Sequence, residues 1–249
     1  MNDVIHMMTR SGITGLDELL EGGFSRGNCV LLHGGPGSGK TTLAIQFLCN
    51  GILEYNEPGV FVTLCENPDE IRKNMLAFGW DLKKLESQKK LAILDARPVT
   101  LTEEGYIIPN DALFKGETVP FSHISRLILR SMKEINAKRL VIDSITVLTS
   151  QYQNESYIRQ GLLGLIQMLS NLDCASLLLT ESRGDLDEAN LERALVQGVI
   201  VLYYTRKGSS MARAIQVLKL RGHKHSLDIY HMEISNKGII VHPEERIEI

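Results

Sequence analysis

The sequence predicts an α/β fold: a mostly parallel central sheet, helices on both of its faces, and an antiparallel β ending. Three observations carry this. From residue 29 to residue 181, short apolar runs alternate with amphipathic stretches, the pattern of strand–helix–strand units in a covered parallel sheet. After Gly198 the helical stretches stop, and four strand-like runs follow, separated by turn signals. Between the first long apolar run and the first long helix stands a segment with four glycines and a proline in six positions, Gly34 to Gly39.

In chain order, Thr14 is placed to cap a short helix through Leu20, ended by Gly22 and Gly23. Cys29 to His33 is a buried strand, and the helix beginning at Lys40 runs to about Leu53. Gly59 opens the strand Val60 to Leu64; Asp69 to Trp80 reads as a helix capped by Asn67. Leu91 to Leu94 is a strand, and Arg97 to Pro120 an irregular loop. Ser122 to Ile135 is an amphipathic helix, and Arg139 to Ile142 a buried strand ending at Asp143. Tyr157 to Leu172 is a helix, and Ala175 to Leu179 a strand ending at Thr180 and Glu181. Residues 182 to 197 are a charged surface loop with some helix. Val199 to Tyr204, Ala212 to Leu220, Leu227 to Ile234 and Ile239 to Val241 are strands, with hairpin turns at Gly208-Ser209-Ser210 and Asn236-Lys237-Gly238.

At 249 residues the chain reads as one domain, residues 1 to 249, large enough for a sizeable core. A net charge of −3 argues against binding nucleic acid by bulk electrostatics, though not against a local basic surface. The four cysteines are scattered; Cys29, Cys49 and Cys174 lie in apolar elements and read as small core residues. The start, Met1 to His6, has no signal-peptide pattern, and no uncharged apolar run reaches membrane-spanning length. The expectation is a cytoplasmic protein without membrane insertion.

Gly34, Gly39, Lys40 and Thr41 satisfy Gly-x-x-x-x-Gly-Lys-Ser/Thr between a strand and a helix, the context of a phosphate-binding loop (P-loop). Glycines let backbone N–H groups turn inward around a polyphosphate, and the helix N-terminus adds unpaired N–H groups. Gly35, Pro36, Gly37, Ser38, Gly39, Lys40, Thr41 and Thr42 are therefore the candidate nucleotide contacts, with Lys40 for the β- and γ-phosphates and Thr41 for Mg²⁺. Asp143, ending an apolar strand, is the second candidate Mg²⁺ ligand. Ser144 follows it where many P-loop ATPases have a glutamate, so a base must come from another strand end. Glu66 is favoured over Glu181, because the strand after the first helix commonly lies near the loop strand. Thr180 is a candidate γ-phosphate contact. ATP is preferred because the guanine-reading Asn-Lys-x-Asp and the Leu-Ser-Gly-Gly-Gln of transporter ATPases are both absent.

Arg206, Lys207, Arg213, Lys219, Arg221 and Lys224 fall in one stretch without an acidic residue. Lys219 and Arg221, two apart in a predicted strand, share a face and could grip a phosphate. Since the loop already supplies Lys40, that phosphate would belong to a neighbouring subunit.

Several stretches resemble one family. Gly12-Ile-Thr-Gly-Leu-Asp-Glu-Leu-Leu-Glu-Gly-Gly-Phe24 is similar to the opening of RecA/RadA- and KaiC-type ATPase domains. Ile45-Gln-Phe-Leu-Cys-Asn-Gly51, Phe78-Gly-Trp-Asp-Leu82, Val141-Ile-Asp-Ser-Ile-Thr146 and Val217-Leu-Lys-Leu-Arg-Gly222 resemble KaiC specifically. The resemblance spans residues 9 to 243 and implies a RecA-like core, ATP with Mg²⁺, and hexameric rings with ATP between subunits. It also implies that Lys219, Leu220, Arg221 and His225 lie at the neighbour's nucleotide. Two departures stand out. The family's adjacent glutamates correspond here to Cys65 and Glu66, and its autophosphorylated Ser-Thr pair to Arg193 and Ala194.

Three functions follow as expectations. The first is a slow Mg²⁺-dependent ATPase acting in a homo-oligomeric ring. The second is a nucleotide-switched scaffold for a protein partner, with little turnover. The third, disfavoured by the acidic stretch 185 to 192, is a recombination accessory binding DNA near Gly184 or Arg206.

Overall fold

The computed structural model describes residues 8–97, 99–101, 107–109, 119–181 and 191–248. The N-terminal stretch Met1 to His6 and the charged stretch around Gly184 lie outside the described residues, as does most of the loop from Arg97 to Pro120.

In chain order the elements are β1 (Met8–Thr9), α1 (Leu16–Leu19), β2 (Phe24–Ser25), β3 (Cys29–Gly34), α2 (Lys40–Tyr55), β4 (Gly59–Thr63), α3 (Pro68–Met75) and α4 (Leu82–Ser87). Then come β5 (Leu91–Asp95), β6 (Val99–Leu101), β7 (Ile107–Pro109), α5 (Phe121–Glu134), β8 (Arg139–Asp143), α6 (Ile145–Ser150) and α7 (Glu155–Ser170). The chain ends with β9 (Ala175–Glu181), α8 (Leu191–Leu195), β10 (Gly198–Lys207), β11 (Ser210–Leu220), β12 (Ile229–Ser235) and β13 (Gly238–Arg246).

Nine strands form the main sheet in the order β13-β12-β11-β10-β3-β9-β8-β4-β5. From β10 to β5 every pairing is parallel; from β10 to β13 every pairing is antiparallel. The interior strands β3, β4 and β8 are buried at every residue, which is why they read as continuous apolar runs instead of alternating ones. One core holds the apolar sides of α1, α2, α3 and α4 against one face of the sheet. The other holds α5, α6 and α7 against the opposite face. The α/β class, the two helical layers and the antiparallel ending all match the expectation. No helix among the described residues is long and apolar enough to cross a membrane.

Four local expectations are corrected. Thr14 caps nothing: α1 starts after Gly15, whose φ is +77° and which offers no side-chain cap. The stretch Asp69 to Trp80 is two pieces. Asn67 does cap α3, its side chain accepting the Asp69 N–H at 2.9 Å, but the helix gives way to a 3₁₀ turn that Gly79 ends at φ +81°. The loop from Arg97 to Pro120 contains the short antiparallel pair β6–β7. α4 and α6 were not expected; each is only six residues long.

One buried cation ties the layers together. Arg139, at the start of β8, is fully buried. Its Nε and Nη2 donate to Glu57 Oε2 at 2.9 and 2.7 Å, and its Nη1 donates to the Phe47 carbonyl of α2 at 2.8 Å. The guanidinium lies 4.5 Å from the centre of the Phe47 ring. Gly51 leaves room for it, since a Cβ there would overlap the guanidinium.

Candidate P-loop nucleotide site

β3 ends at Gly34, close against its neighbour β10. A Cβ on Gly34 would meet the Leu202 carbonyl of β10 at 2.6 Å. Gly37 and Gly39 then take φ values of +75° and +100°, conformations that a side chain would strain. Gly35 faces open space. Ser38 Oγ donates to the Gly35 carbonyl at 2.8 Å. Lys40 bends back across the loop, its Nζ donating to the Gly34 and Gly35 carbonyls at 2.9 and 3.0 Å. α2 begins at Lys40 without a side-chain cap, so its first N–H groups remain for an anion. Thr42 is half-buried on the first turn, and Pro36 is exposed at the tip.

Thr41 Oγ1 donates to Asp143 Oδ2 at 2.8 Å. Burial pushes the Asp143 carboxyl up to about 6, opposed by that hydrogen bond and by the Lys40 charge. Burial also pulls Lys40 below its ordinary value, opposed by the charges of Glu181 and Asp143. The parallel registers explain the convergence: Gly34 pairs with Glu181, and Thr63 pairs with Asp143. The carboxyl ends of β3, β9, β8 and β4 thus line one edge, where such sheets hold ligands.

Glu66 follows β4, and its backbone is tied down by Thr63. Thr63 Oγ1 donates to the Glu66 carbonyl at 2.7 Å and accepts the Glu66 N–H at 3.0 Å. The Glu66 side chain is half-buried, and burial, then Glu70, holds its carboxyl above the usual range. Its strand does not lie beside the loop strand, because β9 and β8 intervene. Glu66 and Glu181 are both felt at Asp143, and Glu181 is felt at Lys40 as well. Cys65 is an exposed residue, yet desolvation of its sulfur and the Asp143 charge push the thiol up to about 11. It therefore stays protonated.

Thr180 is buried, and its Oγ1 shares a 2.9 Å hydrogen bond with His33 Nδ1. His33 was missed. Burial, with the Arg193 and Lys40 cations, pushes it down to about 4, so the ring is neutral at pH 7. Its signal in the sequence was slight: one polar residue closing an apolar run immediately before the glycines.

Lys219, Leu220, Arg221 and His225 are not brought to this chain's own loop. Lys219 pairs with Val199, and Val199 with Leu31, three residues before Gly34 and so about 10 Å back along the strand. β11 ends at Leu220, so Arg221 lies just outside the strand in which it was expected. Both cations turn onto the end of α8. Lys219 Nζ donates to the Arg193 and Val196 carbonyls at 2.8 and 2.7 Å, and Arg221 donates to the Ala194 carbonyl at 3.3 Å. Leu220 is buried, and His225 Nδ1 sits 3.0 Å from the Ser226 carbonyl.

A mostly parallel sheet with a glycine loop between β3 and α2, and a carboxylate at the end of β8, defines a RecA-type P-loop fold. The chain matches the family described as "ATPase: KaiC" across residues 9–246, and it belongs to that family. A UPF0273 protein of Methanocaldococcus jannaschii is 36% identical over 251 residues, covering 96% of this chain and 98% of that protein. The circadian clock oscillator protein KaiC of Synechococcus elongatus is 36% identical over 240 residues, covering 94% of this chain but 44% of KaiC. The chain thus spans less than half the length of that clock protein. The crystal structure of a KaiC-like protein from Pyrococcus horikoshii superposes with a TM-score of 0.80 at 41% identity, covering 95% of this chain and 99% of the other.

Proposed function

We propose that this chain, as one KaiC-like ATPase domain, binds ATP with Mg²⁺ at the loop of residues 34–42 and hydrolyses it slowly. The sites are completed between subunits of a homo-oligomeric ring. The observation that carries the reading is the 2.8 Å bond from Thr41 to Asp143 beside a lysine that spans the glycine loop. Two oxygens that a metal would share already face each other, and the cation that a polyphosphate would attract is held by carbonyls it can leave. Among the described residues, no group of three or more His, Cys, Asp or Glu side chains is placed to hold a metal. Mg²⁺ takes one or two protein oxygens and completes its shell with phosphate and water, and Thr41 and Asp143 offer two such oxygens.

In this reading the loop amides and the start of α2 cradle the phosphates, and Lys40 neutralises their charge. Thr41 and Asp143 hold Mg²⁺, which when bound offsets charge developing on the phosphate oxygens. Glu66 orients the attacking water; its half-buried carboxyl, held above the usual range, suits a base. Lys219, Leu220, Arg221 and His225 serve the neighbour's nucleotide, and the position of Lys219 about 10 Å back from the end of β3 supports that assignment.

A second reading rests on Cys65. Its thiol stays protonated and cannot act as a base, so a site needing a carboxylate there would bind ATP and turn it over little. That protein would be a nucleotide-switched scaffold for a protein partner.

The test is the ATPase rate per subunit against protein concentration, with Mg²⁺, alongside native mass. A rate that rises with assembly supports sites shared between subunits. ATP bound without phosphate release supports the scaffold. Failure to bind ATP would reject both.

A further inference from the structure

β10 and β11 run on past the end of β3. Gly34, the last residue of β3, pairs with Leu202, and the next residues of β10 continue with β11 as a ribbon beside the glycine loop, with β12 still paired to β11 at Arg213. Within that ribbon Tyr204 stands opposite Arg213. The Tyr204 ring packs on the loop tip: a Cβ on Gly37 would lie 3.4 Å from its edge. The Arg213 guanidinium lies 4.6 Å from the centre of that ring, and its Nε donates to the Gly37 carbonyl at 3.1 Å.

The orientation of that carbonyl matters. In a trans peptide the C=O and the following N–H point in opposite directions. Holding the Gly37 carbonyl outward therefore turns the Ser38 N–H inward, where it donates a long 3.3 Å hydrogen bond to the Gly35 carbonyl that a phosphate oxygen would replace. This is the carbonyl that Lys40 also meets inside the loop. Gly37 at φ +75° has no side chain to resist a flip of this peptide. A charged, planar donor stacked on an aromatic ring provides that resistance from outside.

We infer that Arg213, carried on Tyr204, is a positioning residue for the phosphate loop: it fixes the Gly37–Ser38 peptide with its N–H presented to the polyphosphate of a bound nucleotide. The inference rests on the nucleotide-binding reading of the loop. It assigns one member of the basic stretch a role within its own subunit, distinct from that of Lys219 and Arg221.

The test is equilibrium titration with ATP and with ADP, together with amide exchange of the nucleotide-free protein. Arg213→Met and Arg213→Lys should each weaken both nucleotides about tenfold, because lysine has neither the Nε donor nor the planar stack. Tyr204→Leu should weaken them about threefold, and the double variant should be no weaker than Arg213→Met alone. Exchange at the Ser38 amide should rise severalfold in Arg213→Met, with an unchanged melting temperature, since Arg213 lies outside both cores. Equal binding by wild type and Arg213→Met would overturn the assignment. So would full rescue by Arg213→Lys, which would mean that only charge matters. If wild type binds neither nucleotide, the reading of the site fails, and the exchange result alone judges the latch: unchanged Ser38 exchange overturns it.

Discussion

Glu57→Ala should destabilise the protein by about 3 kcal/mol, the lower end of the range for breaking a buried ion pair. Arg139 has no exposed surface, and two of its donors, Nε and Nη2, go to a single oxygen of Glu57. Removing that carboxylate leaves a buried guanidinium whose remaining bonds are to the Phe47 carbonyl at 2.8 Å and the Ser11 carbonyl at 3.5 Å. Those bonds, and the Phe47 ring, keep the loss near the lower bound. Arg139→Met removes the charge and the need for a partner together, so it should cost less, about 1–2 kcal/mol. The clamp also bears on the site. Arg139 begins the strand that ends at Asp143, and Phe47 lies on the helix that starts with Lys40 and Thr41. Glu57→Ala should therefore also weaken Mg²⁺-dependent ATP binding. Urea unfolding of the three proteins, read as midpoints at constant slope, measures the stability terms. A cost below about 1 kcal/mol for Glu57→Ala, or an equal cost for Arg139→Met, would refute the reasoning.

Gly51→Ala presses a methyl into the same guanidinium and should cost at least about 2 kcal/mol, whereas an alanine at the neighbouring helix position Asn50 should stay folded; thermal melts compare them. Without nucleotide or metal, two groups at the site oppose each other in acid. His33 falls from 6.5 to about 4 on folding, so its contribution is present above pH 6.5 and is lost as pH falls towards 4. Asp143 rises from 3.8 to about 6, so it destabilises increasingly as pH rises through that window. Each shift is worth about 3 kcal/mol and the two nearly cancel. Asp143→Asn should then be more stable at pH 6.5 than at pH 4.5 relative to wild type, and His33→Asn less stable; slopes of the same sign would contradict this. Glu66→Gln should lower phosphate release at least tenfold with ATP affinity kept, while Glu181→Gln changes it little; the reverse order would move the base to Glu181.

How much of this was legible beforehand depended on the range of the interaction. The glycine loop, Lys40, Thr41 and the strand ending at Asp143 are local patterns, each contained in a few residues, and each was found in place. Thr14 was misread as a cap because Gly15 answers to a distant partner: a Cβ there would overlap the Val241 carbonyl of β13. Nothing within α1 itself records that approach. The place of Glu66 was misjudged because strand order is a property of the whole sheet, and β4 pairs with β8 instead of β3. The apolar rhythm from Asp69 to Trp80 continues across the change from α-helix to 3₁₀ turn, with Leu76 more than half exposed, so periodicity alone could not locate it. His33 and Arg213 were hidden for a related reason. Their partners, Thr180 and Gly37, lie 147 and 176 residues away in the chain, and only the folded sheet brings them together.

The central claim is that Lys40, Thr41 and Asp143 form one Mg–ATP site. Equilibrium binding of ATP, with and without Mg²⁺, to wild type, Lys40→Met and Asp143→Asn tests it most directly. The account predicts tight binding by wild type that Mg²⁺ strengthens. It predicts a loss of about a hundredfold in Lys40→Met, in line with a charged hydrogen bond to phosphate. In Asp143→Asn it predicts ATP binding that Mg²⁺ no longer improves. Wild-type protein that retains no ATP, or a Lys40→Met variant that binds it equally well, would contradict the account.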